Sequence, residues 1–192
     1  DETTAVRWEG VLLGQRTSQE TYHRRQASIF SGCRRIEPLN AMDYFEEALI
    51  RDPNDIRTNT AVGNIHLRNG EYNTARSFFS KAISRLTKDY TRPAACEALY
   101  LQGLTLKALE LYDEAVDTLY RATWDYAWHS AAYLELARIS SLRGDFQKAL
   151  GQINESLKTN AVNNSAINLK ASILRNLGIV EGAGSLLASV LV

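Results

Sequence analysis

Histidine and cysteine are the residue types in this chain that could most readily catalyse a reaction or bind a metal. His23, His66 and His129 lie far apart, and no two of them have the i, i+4 spacing of a helical metal site. Cys33 and Cys96 are also distant, and neither belongs to a CxxC pair. The sequence contains no HExxH, GxGxxG, P-loop or GxSxG motif. We therefore predict a protein that is not an enzyme and that holds no cofactor and no metal.

The charge of the chain is balanced, with 22 Lys and Arg residues against 22 Asp and Glu residues. This balance argues against the strongly basic surface that binds nucleic acid. Adjacent carboxylates at Glu46–Glu47 and Asp113–Glu114 fall on the polar side of amphipathic patterns, where charged residues face solvent. No apolar run approaches the ~18 residues that would span a bilayer. We expect neither a nucleic-acid partner nor a membrane partner.

The start of the chain and its cysteines bear on the cellular location. Residues 1–4 are acidic and polar, unlike the basic and then apolar start of a signal peptide. Two distant cysteines are typical of free thiols in a reducing compartment, although a single disulfide between them is an open alternative. These features predict a cytoplasmic protein. The absence of an initiator Met predicts a chain that has been processed or cut from a longer one.

A pattern of four positions repeats along the chain with a period of about 34 residues. A small residue is followed by a turn residue, a large residue and an alanine, as in Ala137, Gly144, Phe146 and Ala149. The same order occurs one period to either side and once more upstream, at Gly103, Glu110, Tyr112 and Ala115, at Ala171, Gly178, Val180 and Ala183, and at Gly63, Gly70, Tyr72 and Ala75. A fixed spacing of this length indicates a repeat architecture.

This pattern resembles the tetratricopeptide repeat, a helix–turn–helix unit of about 34 residues. The resemblance implies an all-α, right-handed superhelix in which helix A and helix B of each repeat cross closely. Small residues would lie at the crossings, at Gly63, Gly103, Ala137 and Ala171 in helix A and at Ala75, Ala115, Ala149 and Ala183 in helix B. Large residues would fill the grooves beside them, at Phe79, Leu119, Ile153 and Leu187. Of the closing prolines typical of the family, only Pro53 is present.

The resemblance divides the chain into an N-terminal segment and an array of repeats. Residues 1–20 do not fit the repeat and are predicted to be a strap or the remnant of an upstream domain. Residues 21–192 are predicted to form the superhelix, with helical pairs at about 21–52, 54–86, 94–127, 129–161 and 163–192. The spacing from Gly63 to Gly103 exceeds the period found in the rest of the array, which predicts a longer loop or helix within residues 86–94.

The repeat register gives structural interpretations to two histidines and to a run of aromatic residues. His66 takes a position where an aromatic side chain usually packs between helices, and His129 would lie near a helix start. Tyr120, Trp124 and Trp128 have i, i+4, i+8 spacing and would share one face if their helix were continuous. Sugar stacking or partner anchoring is one interpretation of the run. We favour packing between the third and fourth repeats.

The inner positions of the A helices would line a concave groove, which typically holds a peptide or a helix in this architecture. From the register, the candidate groove residues are Arg57, Thr60, Asn64, Arg68, Tyr100, Leu104, Lys107, Leu134, Arg138, Ser141, Asn168, Ser172 and Arg175. Their composition predicts a mildly basic groove with a hydrophobic middle. Arginine and asparagine can hold peptide carboxylates and backbone groups, while Tyr and Leu can accept apolar anchors.

The groove lacks the clamp by which chaperone-binding members of the family hold a C-terminal carboxylate. That clamp uses an ordered set of Lys, Asn, Asn, Lys and Arg, of which only Asn64 is matched. Thr60 replaces the first Lys and Leu101 the second Asn, while Ala131 and Glu135 replace the last two cations. Glu135 would repel a carboxylate at that position.

The end of the chain predicts self-association. The last helix B has no charged residue after Glu181, and no polar capping helix follows, although repeat arrays need a polar outer face at each end. The candidate contact residues are Leu186, Leu187, Val190 and Leu191. A homodimer would cover this face, and the open alternative is a downstream segment.

Longer strings in the chain support a narrower resemblance. Residues 41–49, 52–55, 86–93 and 122–129 resemble the C-terminal helical region of large microbial proteins of undefined function, in which a β-rich region similar to galactose mutarotase precedes the repeats. We predict a non-catalytic scaffold that binds a protein or peptide through its concave groove. The alternative is an accessory or oligomerisation domain of a larger carbohydrate-active enzyme.

Overall fold

The computed structural model describes residues 41–89, 91–93 and 95–179. The predicted strap at residues 1–20, the first helix A and the candidate self-association residues Leu186, Leu187, Val190 and Leu191 lie outside the described residues. Cys33, one of the two cysteines, also lies outside them.

The described part of the chain consists of helices joined by short turns, except for the longer connection between Leu86 and Glu97. Eight helices follow one another, α1 (Ala41–Arg51), α2 (Ile56–Arg68), α3 (Tyr72–Leu86), α4 (Glu97–Ala108), α5 (Tyr112–Ala122), α6 (Tyr126–Leu142), α7 (Phe146–Thr159) and α8 (Asn164–Asn176). Each helix packs on the next, and α2, α4, α6 and α8 also contact their neighbours in that series. Helices α2, α4, α6 and α8 are therefore the A helices, and the others are the B helices. This arrangement confirms the all-α repeat fold predicted from the sequence.

Helix α2 crosses α3 at a glycine, and helix α4 crosses α5 at another. A Cβ atom added at Gly103 would lie 2.6 Å from Cδ2 and Cγ of Leu119, and one at Gly63 would lie 2.7 Å from Cε1 of Phe79. Leu119 and Phe79 are fully buried, as the repeat pattern predicts for the large residue of each helix B. Since a methyl group does not fit in either gap, glycine sets the distance between the two helices.

The turn from helix A to helix B has the same hydrogen bonds in all four described copies. In the first copy the Glu71 N–H donates to the His66 carbonyl, and the Gly70 N–H donates to the Leu67 carbonyl. These two bonds form a Schellman motif, whose central residue adopts a left-handed conformation. Gly70 has φ of 80°, whereas the equivalent residue in the next repeat is Glu110, with φ of 62°.

Asp125 sets the N-terminal ends of two A helices. Its Oδ1 accepts a hydrogen bond from the Ala127 N–H at 3.0 Å, and its Oδ2 accepts one from the Cys96 N–H at 3.1 Å. Helix α6 consequently begins at Tyr126, before the expected start of its pair at about residue 129. His129 therefore lies inside the first turn, where its ring contacts Tyr133 at a centroid distance of 4.7 Å.

Two alanine substitutions separate the packing requirement at the helix crossing from helix propensity. Gly151 is exposed in α7, with no atom within 4 Å of an added Cβ, so Gly151→Ala should stabilise the protein by about 0.5–1 kcal/mol. Gly103→Ala gains the same helix propensity, but its methyl group overpacks against Leu119, which costs roughly 1–3 kcal/mol. We expect the urea midpoint to rise for the first variant and fall for the second. Equal midpoints would show that Gly103 is not at a close crossing.

The turn that contains Glu110 should be the least stable of the four turns. A non-glycine residue in the left-handed region costs roughly 1–2 kcal/mol, offset in part by the greater entropy that glycine loses on folding. We expect Glu110→Gly to raise the thermal midpoint and Gly144→Ala, at φ of 79°, to lower it. A lower midpoint for Glu110→Gly would mean that the Glu110 side chain stabilises this turn.

Candidate functional site

The A helices lie side by side in one layer, which is the concave layer in this repeat architecture. Among the predicted groove residues, Arg57, Arg68, Asn168, Ser172 and Arg175 are exposed. Those of intermediate exposure are Asn64, Tyr100, Leu104, Lys107, Arg138 and Ser141. The layer therefore presents guanidinium and amide groups at both ends, with aromatic and aliphatic groups in α4 between them.

Two predicted groove residues are buried. Leu134 is 8% exposed because it packs in a core cluster with Ala137, Ile153 and Ile173, under helices α7 and α8. Thr60 is 7% exposed, and its hydroxyl donates to the Ile56 carbonyl at 2.7 Å. The prediction that Leu134 lines the groove and accepts an apolar anchor is wrong, because α7 and α8 cover it.

A buried carboxylate joins the two middle A helices. Glu135 of α6 is 4% exposed. Its Oε1 lies 2.6 Å from Nη1 of Arg138, and its Oε2 accepts from Nζ of Lys107 in α4. One carboxylate therefore faces two cations, and the group has a net charge of +1. The prediction that Glu135 repels a peptide carboxylate is corrected by this pairing, which satisfies Glu135 within the chain.

An aromatic stack joins the same two helices nearer their N-terminal ends. The rings of Tyr100 in α4 and Trp128 in α6 stack with a centroid distance of 4.9 Å and an interplanar angle of 24°. Burial, together with the negative charge of Glu135, raises the pKa of the Tyr100 hydroxyl above its ordinary value. The phenol is therefore neutral at physiological pH. The stack and the ion pair together close the space between α4 and α6.

Between α2 and α4 the concave layer is open instead. A cavity of about 680 Å³ lies there, next to the C-terminal end of α3. The lining residues are Asp52, Asp55, Ile56, Arg57, Thr60, Ala61, Asn64, Arg85, Leu86, Ala95, Glu97 and Ala98. Three predicted groove residues, Arg57, Thr60 and Asn64, are thus brought together at one cavity.

The aromatic run does not lie on one helix. Helix α5 ends at Ala122 and α6 begins at Tyr126, so no continuous helix joins Tyr120 to Trp128 and the three residues do not share one face. Tyr120 packs inside the array, where its hydroxyl accepts from Nε2 of Gln152 at 2.9 Å. Trp124 is 41% exposed, with the Arg92 guanidinium 5.7 Å from its ring centroid. Packing between the third and fourth repeats accounts for Tyr120 and for the Trp128 stack.

His66 and Cys96, which were considered for chemistry, have structural surroundings in the described part of the chain, whereas His23 lies outside the described residues. His66 stacks on Phe78 with parallel rings 5.4 Å apart, and its Nδ1 lies 2.6 Å from Oε2 of Glu71. Cys96 is fully buried, and burial is the main cause of its raised thiol pKa, so the unreactive thiol form dominates. Among the described residues, no group of three or more His, Cys, Asp or Glu side chains could hold a metal ion.

The exposed carboxylates predicted at Asp113 and Glu114 pair with neighbouring repeats. Oδ1 of Asp113 lies 2.7 Å from Nη2 of Arg143, and Oε2 of Glu114 lies 2.7 Å from Nη2 of Arg76. Both pairs are exposed on the surface, so each contributes little to stability.

Sequence reasoning did not identify Trp128 as a residue of the concave layer, and it placed Glu135 in the groove without its two cationic partners. A signal for both residues exists, since Glu135 follows Lys107 by 28 positions and Trp128 follows Tyr100 by the same interval. When two helices are parallel, residue pairs with the same sequence separation lie side by side along the interface. Tyr100 and Lys107 are seven residues apart, so the two pairs are separated by about two helical turns.

Comparison with known proteins supports this interpretation of the repeats. Residues 60–130 match the tetratricopeptide repeat family model. Over these residues the chain is similar to tetratricopeptide repeats. The matched region covers α3 to α5 and parts of α2 and α6, and so it contains the close crossings at Gly63 and Gly103.

Solved tetratricopeptide-type structures share the fold. A MamA structure superposes with a TM-score of 0.68 at 20% identity, covering 79% of this chain and 85% of that chain. PilF of Pseudomonas aeruginosa gives 0.66 at 19% identity, covering 99% and 78%. YrrB, described as a TPR protein with an unusual peptide-binding site, gives 0.61 at 19% identity, covering 79% and 75%. Within the described residues, no helix has the length and apolarity needed to cross a bilayer.

Removing the charge of Glu135 should destabilise the array. Glu135→Gln keeps the shape of the side chain but leaves Lys107 and Arg138 facing each other, partly shielded from water. We expect a loss of about 1–3 kcal/mol, less than for a fully buried pair because both cations reach solvent. The matched control is Glu155→Gln, which removes an exposed i, i+3 partner of Lys158 and should change stability by less than ~0.5 kcal/mol. Equal urea midpoints for the two variants would contradict a structural role for the buried carboxylate.

Proposed function

We propose that this chain is a non-catalytic scaffold that binds an acidic peptide or an acidic segment of a partner protein through the concave layer of its A helices. The observation that carries the proposal is the distribution of charge between the two layers of helices. Binding at this layer needs no residue with catalytic chemistry, only cations and hydrogen-bonding groups placed along a continuous surface.

The A helices are basic although the whole chain is neutral. Helices α2, α4, α6 and α8 contain six Lys or Arg residues and two Glu residues, a net charge of +4 with His neutral. The described B helices contain seven Lys or Arg residues and seven Asp or Glu residues, a net charge of zero. Such segregation favours association of an acidic segment with the concave layer.

Three of the groove arginines can pair with a partner. Arg57, Arg68 and Arg175 are exposed, and none of them forms an ion pair with a carboxylate in the described part of the chain. Lys107 and Arg138 are already bound to Glu135, so they support the fold and add a net positive field. Arginine is suited to this task because its guanidinium can hold a carboxylate through two parallel hydrogen bonds.

The peptide-binding site named for the structurally similar protein YrrB is consistent with a peptide at the concave layer here. The alternative, an accessory or oligomerisation domain of a carbohydrate-active enzyme, stays a prediction, since no described residue bears on it. Self-association through residues 186–191 and cytoplasmic location likewise stay predictions.

Charge reversal on α2 tests the groove. A heptapeptide display library selected on the purified chain should yield peptides rich in Asp and Glu. Arg57→Glu with Arg68→Glu should weaken their binding at least about tenfold, because two attractive contacts become repulsive. Affinity measured by fluorescence polarisation should also fall as salt rises.

The control reverses two exposed cations of the B helices, Lys81→Glu with Lys148→Glu, and so changes the net charge by the same amount. Its affinity for the selected peptides should stay within about threefold of the unmodified chain. Equal losses in both double variants would show that net charge alone drives binding. Selection of no acidic peptides would contradict the proposed function.

A further inference from the structure

The cavity between α2 and α4 lies where the next pair of A helices has an aromatic stack. Thr60 occupies the same repeat position as Tyr100, since both stand three residues before the crossing glycine of their helix. Between α4 and α6 that position is filled by Tyr100 stacked on Trp128. Between α2 and α4 a threonine stands in its place, and a cavity of about 680 Å³ remains.

Part of the wall of this cavity is apolar. Ile56, Ala61, Leu86 and Ala98 contribute aliphatic surface from three helices. The Thr60 hydroxyl donates to its own helix, so that donor is already used. Thr60 and Ala61 of α2 and Ala98 of α4 have small side chains, whereas Tyr100 holds the position equivalent to Thr60 one repeat later.

Some charged residues at the rim of the cavity already have a hydrogen-bond or ion-pair partner, and others do not. Asp55 caps α2 by accepting from the Thr58 N–H at 2.7 Å, and Asp52 lies 4.0 Å from the Arg85 guanidinium. Arg57 and Glu97 have no ion-pair partner in the described part of the chain. A guanidinium at the mouth of an apolar slot can stack on an aromatic face.

We infer that this cavity binds an aromatic side chain, Trp, Tyr or Phe, of the partner peptide, which takes the place that Tyr100 fills in the next repeat. The inference rests on the proposed function, because it names the anchor residue of the acidic peptide. An aromatic anchor buries roughly 150–250 Å² and is the residue type that most often dominates a peptide interface. The acidic residues beside it would contact Arg57.

An internal aromatic substitution provides the test. Thr60→Tyr places in α2 the residue that fills the equivalent position of α4, so the chain closes its own cavity. Peptides from the same heptapeptide library should share one aromatic residue, and their affinity for Thr60→Tyr should fall at least about tenfold. Replacing the shared aromatic by Ala in a synthetic peptide should produce a similar loss.

Controls separate a filled cavity from a damaged fold. Ala61→Leu narrows the same cavity with a good helix former, and Thr74→Tyr adds the same side chain on the exposed surface of α3. Circular dichroism melting establishes that each variant is folded. We expect Ala61→Leu to weaken binding and Thr74→Tyr to leave the affinity unchanged.

The outcomes distinguish this inference from the proposed function. Acidic peptides that depend on Arg57 and Arg68 but lack a shared aromatic, or bind Ala61→Leu at full affinity, would overturn the aromatic anchor and leave the groove proposal standing. Failure of both arginine reversals to weaken any selected peptide would overturn the groove itself. Aromatic peptides whose affinity falls for Thr60→Tyr and Ala61→Leu, but not for Thr74→Tyr, would support the inference.

Discussion

The close approach of helix A to helix B is the constraint on which the rest of this structure depends. At Gly103 the backbone of α4 lies against the side chain of Leu119, with no space for even one additional carbon atom. A short distance between the two helices lets each pair stack on the next with its A helices on one side. The position of every groove residue follows from that stacking, so glycine and alanine at the crossings control the concave layer without touching a partner.

The parts of the structure that depend on residue size and spacing were predictable. Buried Ala75, Ala115 and Ala149 and the large residues four positions after them follow from the period of the repeat, because the same contact recurs in every copy. The exposed arginines of α2 and α8 were also predictable, since the register assigns a face to each position. The burial of Leu134 was not, because it depends on how far the fifth repeat reaches over α6.

The features that the sequence did not reveal arise from contacts between repeats. Glu135 has a charge that opposes peptide carboxylates, yet it lies between two cations from different helices. The aromatic run has helical spacing, but Asp125 caps α6 and interrupts it. The cavity is lined by residues of α2, α3 and α4, including Thr60 and Ala98, so no single segment of the sequence reveals it. Local patterns predicted the helices. The charge pairing, the aromatic contacts and the cavity of the groove depend on residues from successive repeats that meet in the fold.

Hydrogen exchange of the chain with and without a saturating peptide selected from the heptapeptide library tests the central claim most directly. If the A helices form the binding layer, added protection should be concentrated in α2 and α4, on both sides of the cavity, and α3, α5 and α7 should change little. Amide protection confined to α5 and α7 would contradict the account, because those B helices form the opposite layer.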